Sequence, residues 1–203
     1  MGELRLYEPG LYYEKQVMSY RETILASGET LVGCGNLEEA TDLNDWLRRN
    51  RVHSRLYGGP IVYLALRKSD RKVIGMIEYW PMQTAYVLST TGSLRFSVLP
   101  GERGKGYASE MVEKMLGKCW EMGSERLTVL CEKTNQAAVS AIEHCGGILL
   151  SAESGEKQEL LQYVLHTKRF IDDEDDIDFD WFTEKWYRPD LPPGHYPPFT
   201  NYN

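Results

Sequence analysis

The stretch "LPGERGKGYASEM" (Leu99–Met111) decides the reading of this chain. It sets Gly101, Gly104 and Gly106 between the alternating run "GSLRFSVLP" and a helix-forming tail. In that run Leu94, Phe96 and Val98 share one strand face, and Pro100-Gly101 stops the strand. A glycine-rich turn ahead of a helix usually holds a phosphate, and several unrelated enzyme classes hold phosphates this way. Glycine lets the backbone approach closely, successive N–H groups converge, and the helix dipole favours an anion. Two common cradles fail on register. A P-loop needs Lys-Ser/Thr after its last glycine, where this chain has Tyr107. The dinucleotide fingerprint starts at Gly104-Lys105-Gly106, but its third glycine would fall on Ser109, and the preceding strands read as an antiparallel meander.

Outward from the turn, the pattern is that of one α/β domain. On the N-terminal side, "RLYEPG" reads as a short strand. Tyr13, Val17, Tyr20 and Ile24 form a helical stripe from Tyr12 to about Ser27. Asn36 with Glu39 suggests the capping box of a second helix whose face is Leu37, Ala40, Leu43 and Leu47. "IVYLALRK" and "KVIGMIEYW" flank the polar turn "SDR" as a hairpin. On the C-terminal side, a helix is expected from about Gly104 to Glu121, closed by Gly123, followed by the strand "RLTVLCE". "NQAAVSAIEHC" then reads as a helix ending at Gly146-Gly147, and "GILLSAES" and "ELLQYVLHT" as a last hairpin turning at Gly155-Glu156. The expected order is β-α-α-β-β-β-α-β-α-β-β, over residues 1–169.

Residues 170–203 differ in kind. "DDEDDIDFD" (Asp172–Asp180) holds seven of the acids behind the net charge of −7, so the rest of the chain is electrically balanced. Trp181, Phe182, Trp186, Tyr187 and a Pro/Tyr-rich end follow, which suits a docking or linker segment rather than a folded core. Asp176, Asp178 and Asp180 begin like a calcium loop, but no glycine follows at the turn position. No basic stripe is present, which disfavours nucleic acid as a partner. No window is apolar enough for a membrane span, and "MGELRLYEPG" lacks a signal-peptide pattern. Cys34, Cys119, Cys131 and Cys145 show no pairing or zinc-ligand spacing, so reduced thiols, no metal and a cytoplasmic location are expected.

Arg103-Gly104-Lys105-Gly106-Tyr107-Ala108 completes the pattern Arg/Gln-x-x-Gly-x-Gly/Ala, and Asn135 opens the helix "NQAAVSAIEHCGG". Together these resemble the cofactor motifs of the GNAT N-acetyltransferase superfamily, and most closely uncharacterised bacterial members carrying "ERGKGYA". The resemblance spans roughly Leu4–Lys168. It implies the GNAT fold, a mostly antiparallel sheet splayed between its fourth and fifth strands and flanked by about four helices. It further implies acetyl-CoA as cosubstrate, with Arg103, Gly104, Lys105, Gly106, Tyr107 and Ala108 at the pyrophosphate and Asn135 at the pantetheine arm. Phe96, Ser97 and Val98 would pair with the pantetheine amides as an added strand does, and the Val98 N–H would face the developing oxyanion.

The acid and base positions that the resemblance implies carry Gly92, Leu130 and Ile142, none of which can move a proton. Glu132 shares a strand face with Leu130 and is the candidate base; His144 and Tyr163 read better as a surface histidine and a core tyrosine. The expected activity is acetyl transfer to a primary amine of a small molecule or protein, by direct attack in a ternary complex. The alternative is a non-catalytic acyl-CoA-binding module. Either leaves room for a homodimer.

Overall fold

The computed structural model describes residues 2–154 and 159–168. The Gly155-Glu156 turn and the acidic, aromatic segment from 170 lie outside the described residues. Four strands, β1 (Leu4–Tyr7), β2 (Ile61–Arg67), β3 (Val73–Tyr79) and β4 (Leu94–Val98), pair antiparallel in the order β1–β2–β3–β4. A second sheet holds β5 (Arg126–Glu132), β6 (Ile148–Ser154) and β7 (Glu159–His166) in the antiparallel order β5–β7–β6. Among the described residues there are five α-helices: α1 (Glu14–Ala26), α2 (Leu43–Tyr57), α3 (Ala85–Thr90), α4 (Tyr107–Glu121) and α5 (Gln136–His144). The element order is the one expected from the sequence, with α3 added between β3 and β4.

Strand alternation divides the core between the two faces of the first sheet. Tyr63, Ile77, Tyr79, Leu94 and Val98 pack with Met111, Val112, Met115 and Leu116 of α4 and Ile142 of α5. Val62, Leu64 and Met76 point the other way, onto Val17, Tyr20 and Ile24 of α1 and Trp46 of α2. β3 is buried along its whole length because helices cover both faces, which explains its nearly continuous apolar run.

Three local expectations are corrected. Asn36 is not a helix cap: it sits in the left-handed region without a side-chain cap, before a short 3₁₀ turn at Leu37–Glu39. α2 starts six residues later, where the Asp42 carboxylate accepts the Asp45 N–H at 2.8 Å. The cause is tertiary. Trp46 Nε1 donates to the Cys34 and Gly35 carbonyls, and the Gly35 N–H donates to Glu78, so this segment cannot wind into helix. The helix expected from about Gly104 begins at Tyr107, because Gly104 and Gly106 take φ of +76° and +82°. Between β3 and β4 lies α3, a helix that the expected order lacks, capped by the Thr84 hydroxyl accepting the Val87 N–H.

Candidate active site

The two sheets meet at one end of β4 and part at the other. Ser93, fully buried, belongs to both: its carbonyl accepts the Trp80 N–H, and its N–H donates to the Thr128 carbonyl at 2.7 Å. The Ser93 hydroxyl closes the stitch, accepting the Thr128 N–H at 2.7 Å. Gly92 beside it has φ +70°, and a Cβ there would stand 2.8 Å from the Thr128 oxygen. A glutamate at this position, one of the base positions that the resemblance implies, has neither the backbone conformation nor the room.

Beyond this stitch the free edge of β4 can be derived. Hydrogen-bonded and non-bonded pairs alternate along an antiparallel ladder. Trp80 N–H to Ser93 O and Leu99 N–H to Ile74 O bracket the β3–β4 register. Arg95 and Ser97 therefore bond to β3, while Phe96 and Val98 direct their N–H and C=O groups toward the gap. The Val98 carbonyl is indeed taken by Arg103 Nε at 3.1 Å. Ser97 differs from its expected role: its backbone pairs with β3, and its hydroxyl lies among Tyr20, Val32 and Cys34 on the α1 face.

The glycine turn lies where β4 ends. α4 has a glycine at its N-cap and no side-chain cap, and its first backbone bond is Glu110 N–H to Gly106 O. Among the described residues, the N–H groups of residues 104–109 have no acceptor. A Cβ on Gly104 or Gly106 would meet nothing within 4 Å, so the space before these donors is open. Donors without a protein partner, the positive end of the α4 dipole and open space are features that suit an anion. The two cations beside it are anchored: Arg103 grips Glu29 with both amino groups, at 3.0 and 2.6 Å, and Lys105 bonds Glu102 at 2.7 Å. The first pairing raises the Arg103 pKa and lowers that of Glu29 through their hydrogen bond. Tyr107 points inward, its hydroxyl on Glu3 at 2.8 Å, so it can offer a ligand only its N–H. Ala108 packs against the core.

Asn135 caps α5, its Oδ1 accepting the Ala138 N–H at 3.1 Å, which leaves the amide hydrogens to donate elsewhere. Glu132 stands exposed at the end of β5, within 3.5 Å of the Thr134 hydroxyl. Ile142 is fully buried. His144 lies on the exposed face of α5. Tyr163 is buried and donates to Glu143 at 2.9 Å; burial first, then this bond, push its pKa up to about 12. Glu78 is a site-adjacent group missed in the sequence. It is 2% exposed, accepts from Gly35 N–H and Trp80 Nε1, and pairs with Arg95 at 3.2 Å. Its signal was a lone acid inside "VIGMIEY". Among the described residues no group of three or more His, Cys, Asp or Glu could hold a metal.

An antiparallel α/β fold whose sheet parts beside an uncapped glycine turn is the class of protein that the geometry defines. Residues 31–146 match the acetyltransferase (GNAT) family, and the chain belongs to that family. No curated protein matches it. Solved structures share the fold at low identity. The ribosomal-protein-S5-alanine acetyltransferase from Vibrio fischeri is 10% identical, with TM-score 0.63 over 85% of this chain and 97% of its own. The microcin C7 self-immunity acetyltransferase MccE, solved with acetyl-CoA and AMP, is 13% identical, with TM-score 0.60 over 82% of this chain and 93% of its own. The dodecameric spermidine N-acetyltransferase from Vibrio cholerae is 13% identical, with TM-score 0.57 over 81% of this chain and 94% of its own.

Proposed function

We propose that this protein transfers the acetyl group of acetyl-CoA to a primary amine of a small molecule or a protein. The supporting observation is the continuity of unpaired donors: the free N–H groups of 104–109 at the turn, then those of Val98 and Phe96 along the β4 edge. That run suits a ligand with a pyrophosphate at one end and amides along its arm. Asn135 donates to the arm from the β5 side. The cosubstrate brings an activated thioester. The acceptor nitrogen attacks the carbonyl carbon, the C–S bond breaks, and the sulfur leaves as thiolate. The Val98 N–H stabilises the oxygen as negative charge develops on it. Glu132, on the Thr128–Leu130–Glu132 face of β5, takes the ammonium proton through water, and solvent returns a proton to the thiolate. Four unpaired thiols support a cytoplasmic setting.

The experiment is calorimetry with CoA and acetyl-CoA, followed by thiol release over an amine panel. Binding with turnover of at least one amine is expected, with Glu132→Gln lowering kcat. Absence of binding to either ligand refutes the reading. A second reading, an acyl-CoA-binding module without turnover, is favoured by Gly92, Leu130 and Ile142 at the family's acid and base positions. Binding with no thiol release from any amine selects it.

A further inference from the structure

Glu102, directly before the motif Arg103-Gly104-Lys105-Gly106, gathers three cations from three segments of chain. Its side chain is 8% exposed, and its Oε1 accepts from Lys72 Nζ at 2.7 Å. Its Oε2 accepts from Lys105 Nζ at 2.7 Å and Arg67 Nη1 at 3.0 Å. Arg67 ends β2, Lys72 belongs to the β2–β3 turn, and Lys105 is in the glycine turn itself. These bonds, Lys105 first and Lys72 next, hold the Glu102 carboxyl at about 2. Arg67 reaches further, to Asp70 at 2.6 Å and to the Tyr107 hydroxyl at 3.4 Å. The glycine turn is thus pinned on both sides to one hairpin: through Glu102 before it and through Tyr107, the first residue of α4, after it.

We propose that Glu102 is a positioning residue for the anion loop: it fixes residues 103–106 between two anchors and holds the Lys105 ammonium at the loop rather than in solvent. This rests on the acetyl-CoA reading above. A carboxylate near a pyrophosphate would ordinarily repel it. Here three cations neutralise that charge, and with Asp70 on Arg67 counted the cluster of three cations and two carboxylates is still net positive, so the sign of the effect is reversed. Without the carboxylate, Arg67, Lys72 and Lys105 repel one another, Lys105 swings away, and the N–H groups lose their common direction. Preorganised donors are what such a site supplies to an anion, so the loss falls on binding rather than on the chemical step.

The test titrates the full-length protein and its variants with CoA by calorimetry and measures steady-state kinetics with acetyl-CoA and the acceptor separately. Glu102→Gln is expected to weaken CoA binding about tenfold and to raise the KM for acetyl-CoA alike. The kcat and the KM for the acceptor should stay within about twofold. Glu102→Asp, which keeps the charge, should recover binding to within about threefold of the parent. Lys72→Met, on a half-exposed side chain outside the loop, should weaken CoA binding about threefold, and it provides the reading should Glu102→Gln not fold. Unchanged or tighter CoA binding in either Glu102→Gln or Lys72→Met overturns the proposal, as does a fall in kcat equal to the rise in KM. A parent protein that binds no CoA refutes the acetyl-CoA reading and this inference together; a parent that binds, beside variants that bind equally, refutes this inference alone.

Discussion

The two ends of the β4–β5 cleft are built on opposite principles. At the closed end, Ser93 and Thr128 satisfy each other's backbone groups, and Gly92 fits so tightly that a Cβ would strike the Thr128 oxygen. At the open end, the N–H groups of residues 104–109 find no partner among the described residues, and the glycines face open space there. The contrast separates a glycine required by close packing from glycines at a solvent-open turn. Glycine at position 92 is required because the protein is there. At positions 104 and 106 it leaves room for something else.

The largest effect should come from Gly92→Glu, which restores a family base position in sequence only. Positive φ and the clash with backbone of β5 should lower stability by about 3 kcal/mol or more, read by urea denaturation, and the variant should gain no activity. A stable and faster variant would break the distinction drawn between the two ends. Next is Gly106→Val. Its side chain meets no protein atom but requires the φ of +82° that a β-branched residue resists. Stability should drop by only about 1–2 kcal/mol, while CoA binding by calorimetry should fall by at least about thirtyfold, since the side chain occupies the ligand's space. Equal effects at positions 92 and 106 would mean that both are merely structural.

The same contrast explains what the sequence revealed. The open end is made of contiguous residues, so the turn, the strand before it and the Asn135 cap could be read locally. The closed end joins Ser93 to Thr128, 35 residues apart, and no local pattern marks a serine that stitches two sheets. Asn36 and Asp42 are both good capping residues; the choice between them was made by Trp46 and Glu78, which hold Gly35 from a distance. α3 has a local signal, Thr84 three residues before Val87, but its short segment has no apolar periodicity to mark a helix. The Glu102 cluster draws on Arg67 and Lys72 across the sheet, and only folding brings them together.

Asn135→Ala is expected to have a smaller effect, because the residue joins both kinds of role. Losing the α5 cap should reduce stability by about 1 kcal/mol in thermal melts. The lost amide should raise the KM for acetyl-CoA about threefold, and Asn135→Asp should restore the first effect but not the second, since a carboxylate accepts at the cap yet cannot donate to the arm.

The smallest effect concerns acid. Glu102 and Asp70 both titrate near 2, the first through its bonds to Lys105 and Lys72, the second through its bond to Arg67. A carboxyl whose native pKa is depressed stabilises the fold fully above its unfolded pKa, in the ordinary carboxylate range. That stabilisation is lost as pH falls toward the native value. The melting temperature should therefore decline from about pH 4.5 toward 2, more gently in Glu102→Gln than in the parent, because the variant has already lost the group that must be protonated. Glu102 holds the β2–β3 hairpin to the glycine turn, and Asp70 braces the Arg67 that it bonds, so CoA should protect against this decline if the open end is organised from that hairpin. Identical acid profiles in parent and variant would show that the hairpin holds the turn without help from the Glu102 charge.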